Sequence, residues 1–235
     1  MIDKKLLSDV VSQINVTLSP DVLDNFDRFA YLLTETNKTL NLTAITEPKE
    51  IVTKHFADSL TLLDVGIPEN AKVIDVGTGG GFPALPLLIA RNDIDITMID
   101  GANKKLNFVR SVCEDLKLDA EVIHCRAEEL GKDKDYREQY DVATARAVSA
   151  LNVIAEYCLP FVKVGGTFLA MKSAKAEEEL DAAKKAIKLL GGEVVKVCKY
   201  DIADCGERNI IVIKKISQTP SKYPRASAKI AKQPL

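Results

Sequence analysis

An aspartate stands just before a glycine-rich turn in the segment VIDVGTGGGF. Asp75 is followed within six residues by four glycines, Gly77, Gly79, Gly80 and Gly81. Because glycine has no side chain, the backbone of such a turn can touch a ligand. Turns of this kind usually hold a phosphate, but a carboxylate beside a phosphate is repulsive. The combination favours a ligand with a cationic centre and no phosphate.

Two nucleotide cofactors are compatible with this turn. The stretch Gly79–Ala84 satisfies the dinucleotide pattern GxGxxG/A, but Pro83 lies where a helix should offer backbone N–H donors to a diphosphate. S-adenosylmethionine fits better, because its sulfonium and ammonium groups are attracted by a carboxylate or by carbonyl oxygens. An NAD(P)-dependent oxidoreductase remains the alternative, although the sequence has no Tyr-x-x-x-Lys pair to donate a proton.

Further polar residues follow the next two apolar runs. Asp100 stands 25 positions after Asp75. At this place a carboxylate can accept both hydrogen bonds of a ribose diol in either cofactor. Its alternative role is to cap a helix that begins near Asn103. Arg126, Ala127 and Glu128 follow the next run, at a place where an adenine amino group could be bound.

A parallel sheet would bring these residues together. From Lys72 onward, short β-branched runs alternate with segments long enough for helices, including 103–116 and 176–190. The candidate strands are Val73–Val76, Ile94–Ile99, Glu121–Cys125, Asp141–Thr144, Thr167–Met171, Glu193–Lys199 and Asn209–Lys214. The last two are joined around Asp204–Arg208, which is too short for a parallel crossover and predicts an antiparallel hairpin. The predicted fold class is α/β, a Rossmann-like methyltransferase arrangement with a seven-stranded, mostly parallel sheet.

The first 66 residues are predicted to be helices packed on this core. Ser19 and Pro20 form a helix start, with serine as the cap. Two apolar stripes at helical spacing follow, Val22, Phe26, Phe29 and Leu33, then Val52, Phe56, Leu60 and Leu63. His55, within the second stripe, is expected to make structural hydrogen bonds. We therefore expect a helical extension over 1–66, a cofactor-binding domain over 67–216 and a basic, flexible tail over 217–235.

The composition argues against several classes of protein. Of 235 residues, 46% are hydrophobic and 28% are charged, which is typical of a globular domain. The longest apolar run has nine residues, two of them proline, whereas a membrane span needs roughly 20. Five scattered cysteines and two isolated histidines do not match metal or disulfide patterns. We expect a cytoplasmic monomer with no metal, no membrane contact and no secretory signal.

The charge of the C-terminal end differs from that of the whole chain. A net charge of −2 argues against strong non-specific binding of nucleic acid. Residues 214–235, in contrast, include six basic side chains and no acidic one. One interpretation is a solvated, disordered terminus. The other is an arm that follows a phosphate backbone and is kept extended by Pro220, Pro224 and Pro234.

Several sequence blocks, in order, resemble one known family. They are NLTAI (41–45), KHFADS (54–59), DVGTGGGFPALPL (75–87), RAE (126–128), TARAVSAL (144–151), LAMK (169–172), ERNIIVIKK (207–215) and TPSKYPR (219–225). From about residue 41 to 225 the chain is similar to the glucose-inhibited division protein B family of bacterial small-subunit rRNA methyltransferases. The resemblance implies methyl transfer from S-adenosylmethionine to N7 of a guanine near the decoding site of 16S rRNA. The partner would be naked rRNA or the small ribosomal subunit.

The resemblance also implies site residues. For the cofactor these are Gly77, Phe82, Ala127, Glu128 and Arg146, and the residues themselves add Asp75, Gly79, Gly81 and Asp100. The basic residues that resemble the family's RNA-facing set are Lys104, Lys105, Arg126, Lys172 and Arg208, and the tail adds Lys222 and Arg225. Gly101 and Ala84 depart from the family, which often has serine and glycine there. Both residues are small, so the fold is unaffected.

The chemistry of guanine N7 requires positioning and no general base. N7 has an exposed lone pair, which must lie in line with the methyl–sulfur bond at about 3–3.5 Å. The sequence lacks the NPPY or DPPY stretch of exocyclic-amine methylation and the Pro-Cys pair of cytosine C5 methylation. Arg146 is expected to contact guanine O6 or a phosphate, or else to form a salt bridge with Asp141 or Glu128.

The position of N7 also constrains the substrate. In A-form RNA this atom faces a deep, narrow groove that side chains barely reach. The target guanine should therefore lie in a loop or be turned out of its stack. A non-catalytic RNA-binding or ribosome-assembly module remains a third hypothesis for the chain.

Overall fold

A seven-stranded sheet forms the centre of the protein. The computed structural model describes residues 1–202 and 205–235. The strands are β1 Lys72–Val76, β2 Asp95–Asp100, β3 Glu121–His124, β4 Tyr140–Arg146, β5 Val162–Ser173, β6 Gly192–Ile202 and β7 Gly206–Lys215, in the order β3-β2-β1-β4-β5-β7-β6. Pairs from β3 to β5 are parallel, whereas β7 is antiparallel to both β5 and β6. The predicted Rossmann-like arrangement and its terminal hairpin are confirmed.

The strand bounds differ from the prediction mainly in the second half of the sheet. β5 begins five residues before the predicted Thr167, with Val162 already paired to Tyr140. Gly165 and Gly166 hid this part of the strand, because glycine is depleted in strands. Of the predicted connection Asp204–Arg208, Asp204 lies outside the residues that the structure describes.

Helices cover both faces of the sheet and precede it in the chain. They are α1 Lys4–Ser12, α2 Pro20–Asn37, α3 Pro48–Glu50, α4 Asp58–Val65, α5 Ala84–Ala90, α6 Asn103–Leu116, α7 Ala127–Leu130, α8 Leu151–Cys158, α9 Ala176–Leu189 and α10 Ser227–Lys232. The Ser19 hydroxyl accepts from Val22 N–H at 3.4 Å, which confirms the predicted cap of α2. Within the described ranges, none of these helices combines the length and apolar content needed to cross a bilayer.

The predicted apolar stripes of the N-terminal helices pack against the glycine-rich loop. Phe29 stacks on Phe82 with ring centroids 5.3 Å apart, and Phe56 lies 4.9 Å from Phe26 and 5.4 Å from Phe29. All four rings are at most 5% exposed. Because Phe82 belongs to the loop after β1, this aromatic cluster fixes the helical extension to the edge of the sheet where the strands end.

A π-helical turn, Ile51–Ala57, joins α3 to α4. The Asp58 N–H donates to the carbonyls of His55 and Thr53, so one of its bonds spans five residues. Turns of this type are rare and are frequently found at functional sites. This one places Lys54, His55 and Asp58 at the surface that faces β4.

The C-terminal segment is docked on the core and contains a helix, so the prediction that it is extended and not helical is wrong, whereas its flexibility stays a prediction. Residues 227–232 form α10, and Ile230 is fully buried. Arg225 donates from Nε and Nη2 to the buried carboxylate of Glu156, at 2.8 and 2.6 Å. The Arg137 guanidinium donates to the carbonyls of Thr219 and Tyr223. The basic charge of the segment suggested that it is exposed to solvent. Buried apolar side chains and the Glu156 carboxylate instead hold it against the core. The boundaries of the three predicted regions remain a prediction.

Candidate functional site

A cavity of about 740 Å³ lies beyond the carboxyl ends of β1 to β4. This edge is where open α/β sheets bind ligands, and the volume falls within the roughly 300–1,000 Å³ of small-molecule sites. Seven of the nine predicted cofactor residues line it, namely Gly77, Gly79, Phe82, Asp100, Ala127, Glu128 and Arg146. The topology therefore brings together residues that are up to 69 positions apart in the chain.

The backbone of the glycine-rich loop is tied to the end of β2. The N–H groups of Gly77 and Thr78 donate to the Ile99 carbonyl at 2.9 and 3.1 Å, and Gly79 N–H donates to Asp100 Oδ2 at 2.9 Å. Farther along, two more N–H groups of the loop donate to the Thr78 carbonyl. Because these five N–H groups, of residues 77–79, 81 and 82, are already engaged within the protein, they are not available to a diphosphate.

Two loop glycines shape the wall of the cavity. Gly77 has a φ of +77° and Gly79 a φ of +58°, a region of backbone conformation that glycine adopts without strain. A Cβ atom on Gly77 would lie 2.9 Å from the Val148 side chain, which also lines the cavity. A side chain at position 77 would therefore close part of the space that a ligand needs.

Asp100 lies both at the cavity wall and next to the start of α6. It lines the cavity, and its Oδ1 accepts from Ala102 N–H at 2.7 Å, immediately before α6. Each carboxylate oxygen thus has one backbone donor and keeps a lone pair for a ligand hydroxyl. The two backbone N–H groups fix the orientation of the carboxylate at the cavity wall.

The far end of the cavity is formed by the turn after β3 and by α8. Glu128 is 7% exposed and lies 3.4 Å from Arg126 Nε. Ala127 and Tyr157 complete this wall. A buried carboxylate beside small and aromatic side chains can accept hydrogen bonds from an amino-substituted base.

Asp75 and Gly81 do not line the cavity, which corrects two of the predicted contacts. Asp75 is fully buried beneath the loop, and neither carboxylate oxygen accepts a well-formed hydrogen bond from a described residue. Burial raises the pKa of Asp75 to about 7, although Thr78 and Arg146 oppose part of this rise. β1 is a central strand with both faces covered, so the Asp75 side chain lies in the core.

A second cavity, of about 460 Å³, adjoins the first. Its lining comes from the π-helical turn, α4 and the ends of β4, β5 and β7. His55, Arg146, Ala147 and Val148 line both cavities. A ligand in the first cavity and a ligand in the second would therefore meet at these four residues.

Arg146 is clamped by the N-terminal extension. Its Nη1 donates to Asp58 Oδ2 at 2.9 Å and to the Lys54 carbonyl at 3.2 Å, and its Nη2 donates to His55 Nδ1 at 3.0 Å. The predicted salt bridge with Asp141 or Glu128 is wrong, because Asp58 approaches from α4. Three of the five guanidinium N–H groups are engaged, and the other two have no partner among the described residues.

His55 is a neutral hydrogen-bonding residue between the two cavities. Burial, and then the Arg146 charge, lower its pKa to about 3. Because Nδ1 accepts from Arg146, the ring proton is on Nε2, which donates to Thr43 Oγ1 at 2.8 Å. The ring also stacks on Phe82, with centroids 4.2 Å apart. The expected structural hydrogen bonds are confirmed, and both ring nitrogens are occupied.

Six of the seven predicted RNA-facing residues fall into three groups. Lys172 and Arg208 line the second cavity, where Lys172 pairs with Glu179 at 2.8 Å and Arg208 Nε lies 3.2 Å from Asp58 Oδ1. Lys105 and Arg126 line the first cavity. Lys104 and Lys222 are exposed on the surface. Arg225 is engaged in the buried pair with Glu156, so the structure does not bring it to the site.

Sequence reasoning missed three residues that complete the site. Asp58 holds Arg146, Thr43 holds His55, and Tyr157 closes the far wall of the first cavity. For Asp58 a signal existed, because it stands three positions after His55 and so shares a helix face with it. Nothing in the sequence indicates that this face meets the end of β4.

Metal ligation finds no support in the part of the chain that the structure describes. No group of three or more His, Cys, Asp or Glu side chains there is placed to hold an ion. All five cysteines have free thiols.

Comparisons with known sequences agree on one family. The model of the GidB family, described as rRNA small subunit methyltransferase G, matches residues 22–211. A protein of Alkaliphilus oremlandii named Ribosomal RNA small subunit methyltransferase G is 46% identical over 235 residues, covering 99% of this chain and 98% of that protein. A protein of Acetivibrio thermocellus with the same name is 44% identical over 234 residues, covering 99% and 96%.

Comparisons with solved structures agree on the fold. A methyltransferase from Pyrococcus furiosus aligns with a TM-score of 0.57 and 16% identity, covering 81% of this chain and 98% of that one. TYW2 of P. horikoshii, solved in complex with MeSAdo, aligns with a TM-score of 0.53 and 14% identity, covering 68% and 62%. At these identities the likeness concerns the methyltransferase fold alone.

Proposed function

Because the chain belongs to the rRNA small subunit methyltransferase G family, we propose that it transfers the methyl group of S-adenosylmethionine to N7 of a guanine in 16S rRNA. Methyltransferase activity on ribosomal RNA follows from family membership. The observation that carries the finer proposal is the pair of adjoining cavities that share His55, Arg146, Ala147 and Val148. The first suits a nucleoside cofactor and the second suits a nucleobase. A position of this guanine near the decoding site stays a prediction.

The residues of the first cavity fit S-adenosylmethionine better than NAD. Asp100 and Glu128 offer acceptors for a ribose diol and an adenine amino group, and the bare Gly77 leaves room opposite Val148. A dinucleotide needs free backbone donors for its diphosphate, and those of the loop are engaged within the protein. S-adenosylmethionine supplies an electrophilic methyl group when it is bound.

Arg146 orients the guanine in our proposal. Its two remaining N–H groups can donate to guanine O6, the atom beside N7. Asp58, His55 and the Lys54 carbonyl hold the guanidinium in one orientation. Since N7 has a free lone pair, no proton has to be removed, and the occupied nitrogens of His55 agree with a positioning role.

The basic side chains around the two cavities then hold the RNA backbone. Lys172 and Arg208 lie at the second cavity, and Lys105 and Arg126 lie at the first. Lys104 and Lys222 extend this basic surface. Contacts of this kind fix the orientation of an RNA without reading its sequence.

Mass mapping of rRNA tests the proposed reaction. Small-subunit rRNA from cells that lack the gene is incubated with the purified protein and S-adenosylmethionine, and nuclease fragments are weighed. We expect one fragment to gain a single methyl group on a guanosine N7. Arg146→Lys should reduce the rate about 100-fold, because it removes the fork that meets O6. Arg110→Lys, a surface change on α6, should not.

Calorimetry separates the alternatives. We expect binding of S-adenosylmethionine and S-adenosylhomocysteine and none of NAD. Binding of NAD alone would favour an oxidoreductase, and binding of none of the three would favour a non-catalytic module. A gain of mass on a base other than guanine would overturn the assignment of N7.

A further inference from the structure

The second cavity is lined by two buried side chains that each have an oxygen without a hydrogen-bond partner. Asn209 is 1% exposed and Asp58 is 4% exposed, and both residues line the cavity. Within the described part of the chain, Asn209 Oδ1 and Asp58 Oδ1 accept no hydrogen bond. Buried acceptors without a donor are destabilising and rare in native proteins. Two of them beside one cavity require an explanation.

The orientation of the Asn209 amide is fixed by its own donors. Nδ2 donates to the Ser173 carbonyl at 3.1 Å and to Glu207 Oε1 at 2.9 Å. Turning the amide over would bring Oδ1 against both of these oxygens. The unpartnered atom at this position is therefore an acceptor, and it requires an N–H or O–H group from elsewhere.

Asp58 is held in a similar way. Its Oδ2 accepts from Arg146 Nη1 at 2.9 Å, whereas Oδ1 lies 3.2 Å from Arg208 Nε without the alignment of a hydrogen bond. The Arg146 bond fixes the carboxylate next to the residue that we assign to guanine O6. The second cavity thus has a donor group at Arg146 and two acceptors, at Asp58 and Asn209.

We propose that Asp58 and Asn209 read the Watson–Crick edge of the target guanine, a role that rests on the proposed function. In the guanine ring, N1–H stands next to O6 and the 2-amino group follows it. With O6 at Arg146, N1–H donates to Asp58 Oδ1 and the 2-amino group donates to Asn209 Oδ1. N7 lies on the adjoining edge of the base, on the side of O6 away from N1, and is directed to the first cavity.

This order of donors and acceptors selects guanine among the purines. Adenine has an acceptor at N1, an amino group in place of O6 and no substituent at C2. It would place its N1 lone pair against Asp58 and its amino group against Arg146, and it would leave Asn209 unpaired. Sites built around a hydrogen bond reject an analogue that lacks it more strongly than sites built on shape alone.

Inosine at the target position tests this role, because it lacks only the 2-amino group. Once the methylated guanine has been mapped, small-subunit rRNA is ligated with guanosine or inosine at that position. We expect the wild type to prefer guanosine roughly 10- to 100-fold in kcat/KM. Asn209→Ala should bring this preference to within about threefold of unity. Since the ratio compares two RNAs on one enzyme sample, a partly misfolded variant does not change it.

A matched variant and two outcomes decide the inference. Asn152→Ala removes a half-buried asparagine whose amide donates to the Leu235 carbonyl outside both cavities, and it should keep the wild-type preference. Two outcomes would contradict the proposed contact between Asn209 and the 2-amino group. One is equal rates of the wild type on both RNAs, and the other is an unchanged preference for guanosine in Asn209→Ala. If the wild type methylates neither RNA, the proposed function is wrong, and this inference with it.

Discussion

The N-terminal helices and the C-terminal segment both lie outside the sheet, and a buried ion pair joins each of them to its surroundings. Asp58 of α4 pairs with Arg146 of β4 at 2.9 Å, and Arg225 pairs with Glu156 of α8 at 2.6 Å. Asp58 and Arg146 line the cavities, whereas Glu156 and Arg225 are absent from the described lining of either. The same type of contact thus orients a functional side chain in one region and only docks a segment in the other.

The C-terminal segment reaches the first cavity indirectly. Ser227 accepts from Arg126 Nη2 at 3.2 Å. Burial raises the pKa of Tyr157, and its hydrogen bond with Ser227 opposes part of this rise. Both contacted residues line the far wall. The N-terminal extension, in contrast, supplies Thr43 and His55 to the cavity itself. The C-terminal segment therefore contacts residues of the cavity wall without lining the cavity, whereas the N-terminal extension forms part of that wall.

The largest effect is expected for Asp58→Ala. Removing this carboxylate leaves two buried or half-buried cations without their partner, which should lower the free energy of unfolding by about 3–5 kcal/mol. Arg146 also loses its orientation, so kcat/KM should fall about 100-fold or more. Urea unfolding and methylation rates per S-adenosylhomocysteine-binding molecule measure the two changes. Asp24→Ala, which removes an exposed ion pair, is the control. A wild-type kcat/KM in Asp58→Ala would mean that this ion pair, like that of Glu156, only holds its segment in place.

Glu156→Ala is expected to lower the free energy of unfolding and to leave kcat/KM nearly unchanged. It leaves Arg225 without its acceptor and should also lower the free energy of unfolding by about 3–5 kcal/mol. Because neither residue lines a cavity, kcat/KM per folded molecule should stay within about threefold of the wild type. The same unfolding and rate measurements apply at a temperature where both proteins are folded. A rate loss as large as that of Asp58→Ala would show that the C-terminal segment contributes directly to the site.

These two pairs also show what sequence reasoning reaches and where it stops. The strands, the hairpin and the placement of Asp100 and Arg146 at one edge were predictable, because apolar periodicity gives the strands and parallel topology aligns their ends. The ion pairs were not, since they join residues 88 and 69 positions apart. Such contacts depend on which helix faces meet, and one sequence does not contain that information.

The predicted ligand contact of Asp75 is wrong for a different reason. The sequence places Asp75 correctly on β1, yet this strand is covered on both faces and buries all of its side chains after Lys72, whether apolar or not. A carboxylate next to a glycine-rich loop therefore looked like a ligand contact when it lies beneath the loop. Asp75 is a third buried carboxylate, this time within the core, and it has no ion-pair partner among the described residues.

Asp75→Asn should raise the free energy of unfolding at neutral pH, whereas replacement of Asp58 or Glu156 should lower it. Burial raises the pKa of Asp75 from 3.8 to about 7, so ionisation destabilises the wild type as the pH rises through this range. The free energy of unfolding of the variant relative to the wild type should therefore increase between pH 4 and pH 7, by up to about 4 kcal/mol, and level off above. Urea unfolding at pH 5 and pH 8 measures this change. An equal difference at both pH values would mean that Asp75 is ionised throughout.

The smallest effect is expected at the surface of the C-terminal segment. Lys222, Lys229 and Lys232 are exposed, so their replacement by glutamine should leave the docked segment intact. Each lysine that contacts a phosphate contributes about 0.7–0.9 to the slope of log binding constant against log salt concentration. We expect the triple variant to bind rRNA with a slope reduced by about 1–2 and with an unchanged melting temperature.

A second triple variant shows whether this change is specific to the C-terminal segment. Lys4, Lys184 and Lys199 each pair with an acidic side chain elsewhere on the surface, so their replacement by glutamine should not alter the slope. A slope reduced only in the C-terminal variant means that this segment binds backbone phosphates in addition to its docking role. An equal slope in both variants would restrict the segment to stabilising the wall behind the cofactor cavity, because its one buried cation, Arg225, is already neutralised by Glu156.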